Sequence, residues 1–475
     1  MQRHELIQKF VRGSLITLLA AGGHHIVTLL TQVVLARLLE PALFGAFAFA
    51  QMTVLLFSNF CNTHGSRYVI RETEGTTEKL NVIYTVELCV TACLLLFVFF
   101  GAPLLMQAMG KPELTTLVQC LSLLLVRSPF SQPRTLLEKN LAFGHVHMPA
   151  LFGQTVGAVV GIVLALRGFG VWSLVAWRLT ALTGELAVLW GIASERPRLM
   201  WNTALAREAL AYSWPLMGRS LLVFFYWNVD YYIVGRMLGD AELGYYWLGF
   251  QMSHYLLMTK SAINAVLFPT FAQLADRAAI RNAFNLLTRL TGIVFFFPTV
   301  IVLISGEDIV RYVLGEKWIP ATHVLRIFMI LTTIRAVTGY WDSVCLRYGK
   351  TKVLFVTSVF NALFIPAVGY FAVRRFGIEG MAITVLMSLL MICPVIAAVI
   401  SGLIQSSYVT LLTRPLGVAV GLGLLYGACE LLLRRSFGLI GSVAALFIFA
   451  AAYGASFTPE IRRVLQSVKH REGKT

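Results

Sequence analysis

The stretch RLLEPALFG at residues 37–45 separates the first two apolar runs of this sequence, and RMLGDAELG at residues 236–244 separates two runs in its middle. Arg, Leu, Ala and the closing Gly coincide in the two stretches without a gap. Further along, FGV at residues 169–171 matches FGI at residues 376–378. The chain is therefore predicted to consist of two copies of one unit, about 200 residues apart.

The duplication also includes the third apolar run of each copy. Gly101 and Gly110 frame the turn after that run, and Gly306 and Gly315 frame its counterpart with the same spacing. A membrane protein made of two parallel copies usually binds its ligand between them and works by rocking one copy against the other. The repeat therefore favours a transporter.

Composition excludes a soluble protein. Of the 475 residues, 57% are hydrophobic and 13% are charged, whereas soluble proteins carry roughly 25% charged residues. Apolar runs of about 20 residues, enough to cross a bilayer as helices, follow one another nearly end to end and leave no room for a soluble domain. The run from Ser14 to Ala36 is too long and too interrupted by glycine for a cleaved signal peptide, so we expect a retained helix.

These runs predict an all-α, polytopic membrane protein with about 14 transmembrane helices. The helices are expected near residues 14–36, 43–65, 82–104, 114–134, 148–167, 171–193, 213–238, 242–264, 286–305, 322–342, 353–373, 379–402, 415–433 and 438–456. The repeat divides them into an N-terminal lobe (residues 1–200), a C-terminal lobe (201–402) and an extra helix pair with a basic tail (403–475). Because each copy has six helices, an even number, the two lobes lie parallel around a central cleft.

The distribution of positive charge predicts the orientation. With both termini taken as cytoplasmic, about 22 of the 39 Lys and Arg fall in inner loops and tails and about 10 in outer turns. The net charge of +16 is explained by this topology and by contact with anionic lipid heads. We expect no nucleic-acid partner, because no surface domain exists to hold one. The seven cysteines form no CxxC pair and lack clustered histidines, so we expect neither a metal site nor a cofactor.

Ionisable residues inside the apolar runs are the sharpest local signal, because each costs roughly 2.5–3.5 kcal/mol at the centre of a membrane helix. The cations are Arg127, Arg178, Arg219, Lys260, Arg326 and Arg335, and the acids are Glu87, Glu185, Asp230 and Asp342. Counting the rise per residue puts Lys260, Arg219 and Arg127 in the inner half of the bilayer. Arg335 then lies near the middle and Arg178 in the outer half. Such a staggered line suits an anionic head group, since Arg and Lys bind phosphate oxygens.

Helical spacing leaves a structural alternative open for two of these cations. Arg178 and Glu185 are seven residues apart, as are Arg335 and Asp342, and seven residues return to nearly the same helix face. Each acid could therefore neutralise the cation on its own helix and hold neighbouring helices together. Glu185 is also a candidate for ion coupling.

Asp230 shares a face with Arg219, eleven residues earlier. Its carboxylate could carry the proton or sodium ion that drives transport, or it could simply neutralise Arg219 or Arg236. His24 and His25 lie mid-span in the first helix, where they would face the same cleft. They are candidates for a proton relay, although a buried histidine that bonds a neighbouring helix is the commoner case.

Four stretches of the chain resemble a known family: LARLLEPALFGAFAFAQM (35–52), LLEKNLAF (136–143), GFGVWSLV (168–175) and NVDYYIVGRMLGDAELGYYWLGFQM (228–252). They are similar to the polysaccharide-transporter branch of the multidrug/oligosaccharidyl-lipid/polysaccharide exporter superfamily, the Wzx-type flippases. The resemblance covers the whole chain, including the number of helices.

The resemblance implies a flippase that moves undecaprenyl-diphosphate-linked oligosaccharide units across the bacterial inner membrane, for O-antigen, exopolysaccharide or capsule synthesis. It implies as partners this lipid-linked substrate, membrane lipids, a polysaccharide polymerase and other assembly proteins. Helices 13–14 would form a groove for the polyprenyl tail. By alternating access, Arg219, Lys260 and Arg127 would first hold the diphosphate. The inner side would then close and pass it towards Arg335 and Arg178.

The aromatic residues of helices 7 and 8 have two interpretations. Tyr and Trp near an outer helix end are typical of the interfacial belt, which we expect for residues 245–247 (YYW). Members of the cluster at residues 224–227 (FFYW) that turn inward could instead stack on sugar rings.

Two other function classes are open. A cation-coupled multidrug antiporter of the same superfamily typically uses acids in its first lobe, but helix 1 has none and six cations outnumber four acids within the spans. A membrane enzyme such as a glycan polymerase needs a sizeable outer loop. The longest one, about residues 306–320, has no room for a catalytic site. We therefore expect a transporter and not an enzyme.

Overall fold

The computed structural model describes residues 20, 22–61, 65–71, 76–139, 143–193, 195–273 and 276–472. Every regular element among these residues is a helix, which confirms the all-α prediction. The first part of the predicted helix 1 and the last residues of the basic tail lie outside the described residues.

The first half of the chain contains nine helices within the described residues. They are α1 (22–38), α2 (Pro41–Cys61), α3 (Gly65–Arg71), α4 (Thr76–Ala108), α5 (Thr115–Ser122), α6 (Arg127–Phe130), α7 (Pro133–Lys139), α8 (Phe143–Leu166) and α9 (Trp172–Ile192). Short 3-10 turns at Pro112–Leu114 and Leu123–Val126 connect α4, α5 and α6. The segments α5, α6 and α7 together replace the predicted helix 4, so this helix is broken.

The second half continues with longer helices. They are α10 (Thr203–Met237), α11 (Asp240–Gln273), α12 (Arg277–Ile309), α13 (Ala321–Thr338), α14 (Trp341–Arg347), α15 (Thr351–Ile404) and α16 (Tyr408–Glu472). The helix α15 breaks at Gly377 (φ 60°) and α16 at Gly438 (φ 58°), so each contains two membrane helices. With α5–α7 and α13–α14 each counted as one broken helix, the described residues give 14 membrane-length segments, as predicted.

The duplicated glycines adopt matching backbone conformations. Gly110 and Gly315 both have positive φ (71° and 107°), and so do Gly170 and Gly377 (55° and 60°). Residues with a Cβ rarely adopt positive φ, so glycine is favoured at each of these turns. The two copies thus repeat in structure as well as in sequence, and they form the two parallel lobes.

A stripe of glycines on α8 sets the position of α9. Gly153, Gly157 and Gly161 recur every four residues, and a Cβ on Gly157 would stand 2.6 Å from the Trp177 carbonyl oxygen. Small residues with this spacing let two membrane helices approach closely. The backbone of α9 therefore lies directly against α8, which fixes the face from which its charged side chains project.

The two lobes share one hydrophobic core at the side predicted to be outer. Phe44 of the first lobe packs on Trp247 and Trp318 of the second, at ring-centroid distances of 5.9 and 5.3 Å. The interfacial-belt prediction for residues 245–247 is wrong for two of the three, because Tyr246 is 0% exposed and Trp247 is 6% exposed. Phe44 and Phe47 of the first lobe cover Trp247, whereas Tyr231 and Phe328 of its own lobe cover Tyr246.

The extra helix pair in α16 packs on α12 of the second lobe. Tyr453 donates a hydrogen bond to the carbonyl oxygen of Ile293 (2.8 Å), and the rings of Phe297 and Phe449 stack at 5.3 Å. Outward from this contact α16 exposes large apolar side chains, among them Leu424, Leu431 and Phe447. The pair therefore presents an apolar face on the outside of the second lobe.

Candidate functional site

Three cavities adjoin one another: one is lined by the first lobe, one by the second lobe and the middle one by both. The N-lobe cavity has a volume of 730 Å³, the middle cavity 240 Å³ and the C-lobe cavity 440 Å³. Gln51 and Arg178 line both the N-lobe and the middle cavity. Trp227 and His254 line both the middle and the C-lobe cavity. The three cavities thus share walls and together occupy the predicted central cleft.

Five of the predicted site residues line the N-lobe cavity: Arg127, Arg178, Glu185, His24 and His25. They come from α1, α6 and α9, so the fold brings together side chains up to about 160 residues apart in sequence. The rings of the two histidines lie edge to face, 5.5 Å apart, and Nδ1 of His24 is 3.3 Å from the Ala150 carbonyl oxygen.

Glu185 bridges two arginines. Its Oε1 lies 3.1 Å from Nη2 of Arg127 and 3.8 Å from Nη1 of Arg134. The Arg127 side chain remains 54% exposed, so most of its five N–H donors still face the cavity. Glu185 itself is buried, and the arginine pair therefore has a carboxylate to hold it in place.

Arg134 was missed by the sequence analysis, which placed it at the end of helix 4. The structure bends by 42° between Pro112–Phe130 and Pro133–Lys139, and this break turns Arg134 into the cavity. The sequence does indicate this helix break, because Pro133 follows the polar pair Ser131–Gln132. Interrupted membrane helices are a common place for transporter binding sites.

Arg178 does not pair with Glu185 on its own helix, so the structural alternative left open by helical spacing does not hold for this pair. With the Gln51 amide turned to present its oxygen, Gln51 accepts from Nε (3.2 Å) and Nη2 (3.0 Å) of Arg178. Arg178 and Glu185 share a face of α9, but Arg127 and Arg134 approach Glu185 from the broken helix. Arg178 therefore has a neutral partner and keeps its full positive charge.

The other predicted cations, Arg219, Lys260 and Arg335, line the C-lobe cavity together with Asp342. Arg219 is exposed in the cavity and has no hydrogen bond or ion pair with a described residue. Lys260 is 3% exposed. Its ammonium donates to the Ala336 carbonyl oxygen and lies 3.9 Å above the centroid of the Tyr340 ring.

Arg335 also has an aromatic partner instead of the acid on its own helical segment. Its guanidinium carbon lies 4.4 Å from the centroid of the Trp227 ring, a cation–π contact. No ion pair forms between Arg335 and Asp342 within the described residues, so their predicted pairing is wrong too. A helix break between α13 and α14 separates the two side chains.

Asp230 lines none of the three cavities. It is buried, and its Oδ2 accepts a hydrogen bond from the Tyr246 hydroxyl (2.7 Å), while Oδ1 has no partner among the described residues. The predicted neutralisation of Arg219 or Arg236 by Asp230 is wrong. Eleven residues return to one helix face but rise about 16 Å, which puts Arg219 at another depth.

The predicted outer side is closed by a pseudosymmetric set of contacts, which we call the outer latch. Arg37 donates to the carbonyl oxygens of Val313 (2.8 Å) and Tyr312, in the turn after the third helix of the second lobe. Its repeat counterpart Arg236 covers Gly110, in the equivalent turn of the first lobe. Each motif arginine thus contacts the opposite lobe.

Two lysines complete the outer latch. Lys111 Nζ lies 2.6 Å from Asp240 Oδ1, and Lys317 Nζ lies 3.5 Å from Glu40 Oε1. Each lysine follows the turn of one lobe, and each acid belongs to the repeated motif of the other. The duplicated sequence stretch is therefore the surface through which the lobes meet.

Counted over the described residues, the cavities are lined by six cations and three acids. The cations are Arg127, Arg134, Arg178, Arg219, Lys260 and Arg335, and the acids are Glu87, Glu185 and Asp342. Low-dielectric walls strengthen the field of such an excess. The row of cavities suits an anionic ligand.

Comparison with known proteins agrees with this arrangement. The family model described as polysaccharide biosynthesis protein matches residues 34–323, which include the outer latch motifs and most of the cavity walls. The chain belongs to this family. The chain is also 27% identical to the succinoglycan biosynthesis transport protein ExoT of Rhizobium meliloti (strain 1021), over 77% of this chain and 75% of that protein.

A second similar protein is the lipopolysaccharide biosynthesis protein WzxC of Escherichia coli (strain K12). It is 25% identical over 72% of this chain and 70% of that protein. Among solved structures, the lipid II flippase MurJ in an inward closed conformation matches with a TM-score of 0.70 at 12% sequence identity, covering 94% of this chain and 100% of that chain. At this identity the likeness shows a shared fold.

Proposed function

We propose that this protein is a flippase that translocates a polyprenyl-diphosphate-linked oligosaccharide across the bacterial inner membrane. The observation that carries the proposal is the row of three cavities with six cations on their walls, inside a polysaccharide biosynthesis family member. A diphosphate is the anionic part of such a cargo. The names of the relatives ExoT and WzxC, a succinoglycan transport protein and a lipopolysaccharide biosynthesis protein, support the same class of cargo.

The binding step follows from which cations are accessible. Arg127 and Arg219 both expose their guanidinium groups to a cavity, one in each lobe. Arginine binds phosphate oxygens through two parallel N–H groups. We assign the first contacts of the diphosphate to these two residues, with Arg134 and Lys260 adding charge beside them. Arg178 and Arg335 face the cavities next to the shared walls and would receive the head group later.

Translocation would proceed by alternating access. The outer latch holds the lobes together on the predicted outer side, so the cargo enters from the other side, which we assign to the cytoplasm together with both termini. Opening then requires the Lys111–Asp240 and Lys317–Glu40 contacts to break and the lobes to rotate apart. The polyprenyl tail would remain in lipid, along the apolar outer face of α16.

We assign ion coupling to Glu185 in preference to Asp230. Glu185 already binds Arg127 and Arg134, the arginines to which a diphosphate would bind. A proton on Glu185 would release Arg127 for the cargo and leave Arg134 paired with Glu138 alone (3.0 Å), so proton and cargo would bind together. Asp230 lies outside the cavities, bound to Tyr246. His24 and His25 share the N-lobe cavity with Glu185 and could relay the proton.

No step of this cycle makes or breaks a covalent bond, so we propose a transporter and not an enzyme. A multidrug antiporter is less well supported. Only three acids line the cavities among the described residues, and Glu185 is already neutralised by two arginines. A cationic drug would therefore meet a positive field.

The experiment is export in a strain that lacks the chromosomal copy and carries variants of this protein. Arg127→Ala combined with Arg219→Ala should abolish surface polysaccharide at unchanged protein level. Arg311→Ala is the matched control, because Arg311 also binds a glutamate (Glu307, 2.8 Å) but lines none of the cavities. Normal export by the double variant would rule out the assigned binding site.

A further inference from the structure

The middle cavity differs in chemistry from its two neighbours. Several charged side chains line each of the N-lobe and C-lobe cavities. Among the described residues that line the middle cavity, Arg178 is the one lysine, arginine or acid. Four amides line it instead: Gln32, Gln51, Asn228 and Gln251. An amide offers two donors and an acceptor. This lining suits a neutral ligand rich in hydroxyl groups.

The amides retain free hydrogen-bonding groups. Asn228 donates its Nδ2 to the Phe224 carbonyl oxygen of its own helix (2.8 Å), which leaves the side-chain oxygen available. The oxygen of Gln51 binds Arg178, which leaves its NH₂ group available. Both therefore present one unused polar group.

Aromatic rings form the rest of the wall. Trp177, Trp227 and Trp247 line the cavity, one from the first lobe and two from the second. Phe250 stacks on His254 beside them, at a centroid distance of 5.3 Å and an interplanar angle of 16°. A pyranose ring has apolar C–H groups on its faces and hydroxyls around its rim. Flat aromatic surfaces combined with amides complement both parts of such a ring.

Two buried polar atoms on this wall have no partner among the residues that the structure describes. Gln32 is 2% exposed and its Oε1 accepts no hydrogen bond, while Trp177 is 1% exposed and its Nε1 donates none to a described residue. Most buried polar groups in proteins are hydrogen-bonded, and leaving one unpaired costs about 1–3 kcal/mol. A ligand in the cavity could satisfy one acceptor and one donor at once.

From these contacts we infer that the middle cavity binds an uncharged pyranose ring of the cargo, the one attached to the diphosphate. This inference rests on the proposed flippase function. The volume of 240 Å³ is below the ~300–1,000 Å³ of sites for drug-sized ligands, so the cavity fits a single ring and not a whole repeat unit. Arg178 connects this cavity to the N-lobe cavity and would contact the phosphate next to that ring. The site would therefore select cargo that carries its first sugar over the bare carrier.

The test compares three probes with the full chain in lipid nanodiscs: undecaprenyl diphosphate, the same carrier with one neutral hexose, and the same carrier with one uronic acid. Tryptophan fluorescence reports binding, since three tryptophans line the cavity. The hexose-bearing carrier should bind about tenfold more tightly than bare undecaprenyl diphosphate, equivalent to about 1.4 kcal/mol. Gln32→Leu and Trp177→Phe should reduce that preference at least threefold without changing the affinity for undecaprenyl diphosphate.

Thr322→Val is the matched control, because Thr322 also has a buried, unpartnered oxygen but lines none of the three cavities. It should keep the full preference. Equal binding of the bare and hexose-bearing carriers by the unmodified protein would overturn the inference and leave the flippase proposal standing. Tighter binding of the uronic acid would contradict the neutral-ring assignment. If none of the three carriers binds, the proposed function fails as well.

Discussion

Gly45 and Gly244, the closing residues of the two repeated motifs, lie against each other across the interface between the lobes. A methyl group on Gly45 would overlap the Asp240 carbonyl oxygen, and one on Gly244 would overlap that of Pro41. The relationship is reciprocal, as a pseudo-twofold axis along the membrane normal requires. The repeat therefore preserves glycine where the two lobes come closest on the predicted outer side.

Gly45→Ala should weaken closure on that side, because the added Cβ must displace the backbone of the opposite lobe. Overpacking of this kind costs about 1–3 kcal/mol. A single cysteine at Thr28, on the wall of the middle cavity, should then react several-fold faster with an impermeant maleimide added from outside. The measurement uses a background without the native cysteines.

Gly101→Ala is the matched control, since Gly101 also lies within a membrane helix but has open space around it. It should leave the labelling rate unchanged. Equal labelling of the Gly45→Ala and Gly101→Ala proteins would show that the glycine contact does not close the cleft.

The outer latch should tolerate exchange of its charges. Lys111→Asp alone places two acids together at the Asp240 contact and should reduce export at least about threefold. Lys111→Asp combined with Asp240→Lys restores an ion pair and should recover most of it, because the pair acts through opposite charge. The comparison is made by surface polysaccharide assay at matched protein levels. A double variant no better than the single one would argue against an ionic latch.

Glu185→Gln should strengthen binding of inorganic pyrophosphate at neutral pH by about three- to tenfold. The carboxylate competes with the anion for Arg127 and Arg134, and the gain is modest because Arg127 is half exposed and its pair is screened.

The difference between the two proteins is the informative quantity. Calorimetry with pyrophosphate at neutral pH measures the two affinities directly. Equal affinities of the Glu185→Gln and unmodified proteins would contradict the competition.

Gly157→Leu should destabilise the protein, because its side chain would collide with the backbone of α9 at the Trp177 carbonyl oxygen. We expect a loss of more than about 3 kcal/mol, the upper end of typical overpacking, seen as a lower melting temperature in detergent. Gly191→Leu, on α9 with open space around it, is the control and should melt like the unmodified protein. A normal melting temperature for Gly157→Leu would mean that α8 and α9 can separate freely.

The sequence determined much of the architecture in advance because hydrophobic runs and repeats are local signals. The number of helices and the two parallel lobes followed from run length and from the matched glycines. The partners of the intramembrane charges could not be predicted in this way. Helical phase left Arg178–Glu185 open as a pair, yet Glu185 binds Arg127 and Arg134 from a neighbouring, broken helix. Such pairing depends on which helices are neighbours, and residue spacing within one helix carries no information on that.

The sequence also did not predict which residues are buried at the interface between the lobes. Tyr246 and Trp247 have the composition of an interfacial belt, but they pack in the core between the lobes. Polar uncharged residues such as Gln32 and Gln251 do not indicate a binding site in the sequence, because a single amide in an apolar run is common. Only their convergence in the middle cavity from two lobes distinguishes them.

The most direct test of the central claim is the leaflet in which lipid-linked glycan resides when this protein is absent. Membranes from the deletion strain would be probed with an impermeant glycosidase or lectin. The masses of the extracted lipid-linked glycans would be determined by mass spectrometry. The flippase proposal predicts that an undecaprenyl-diphosphate oligosaccharide accumulates on the cytoplasmic side while surface polysaccharide is lost. Accumulation of the same unit on the outer side, or no accumulation at all, would contradict it.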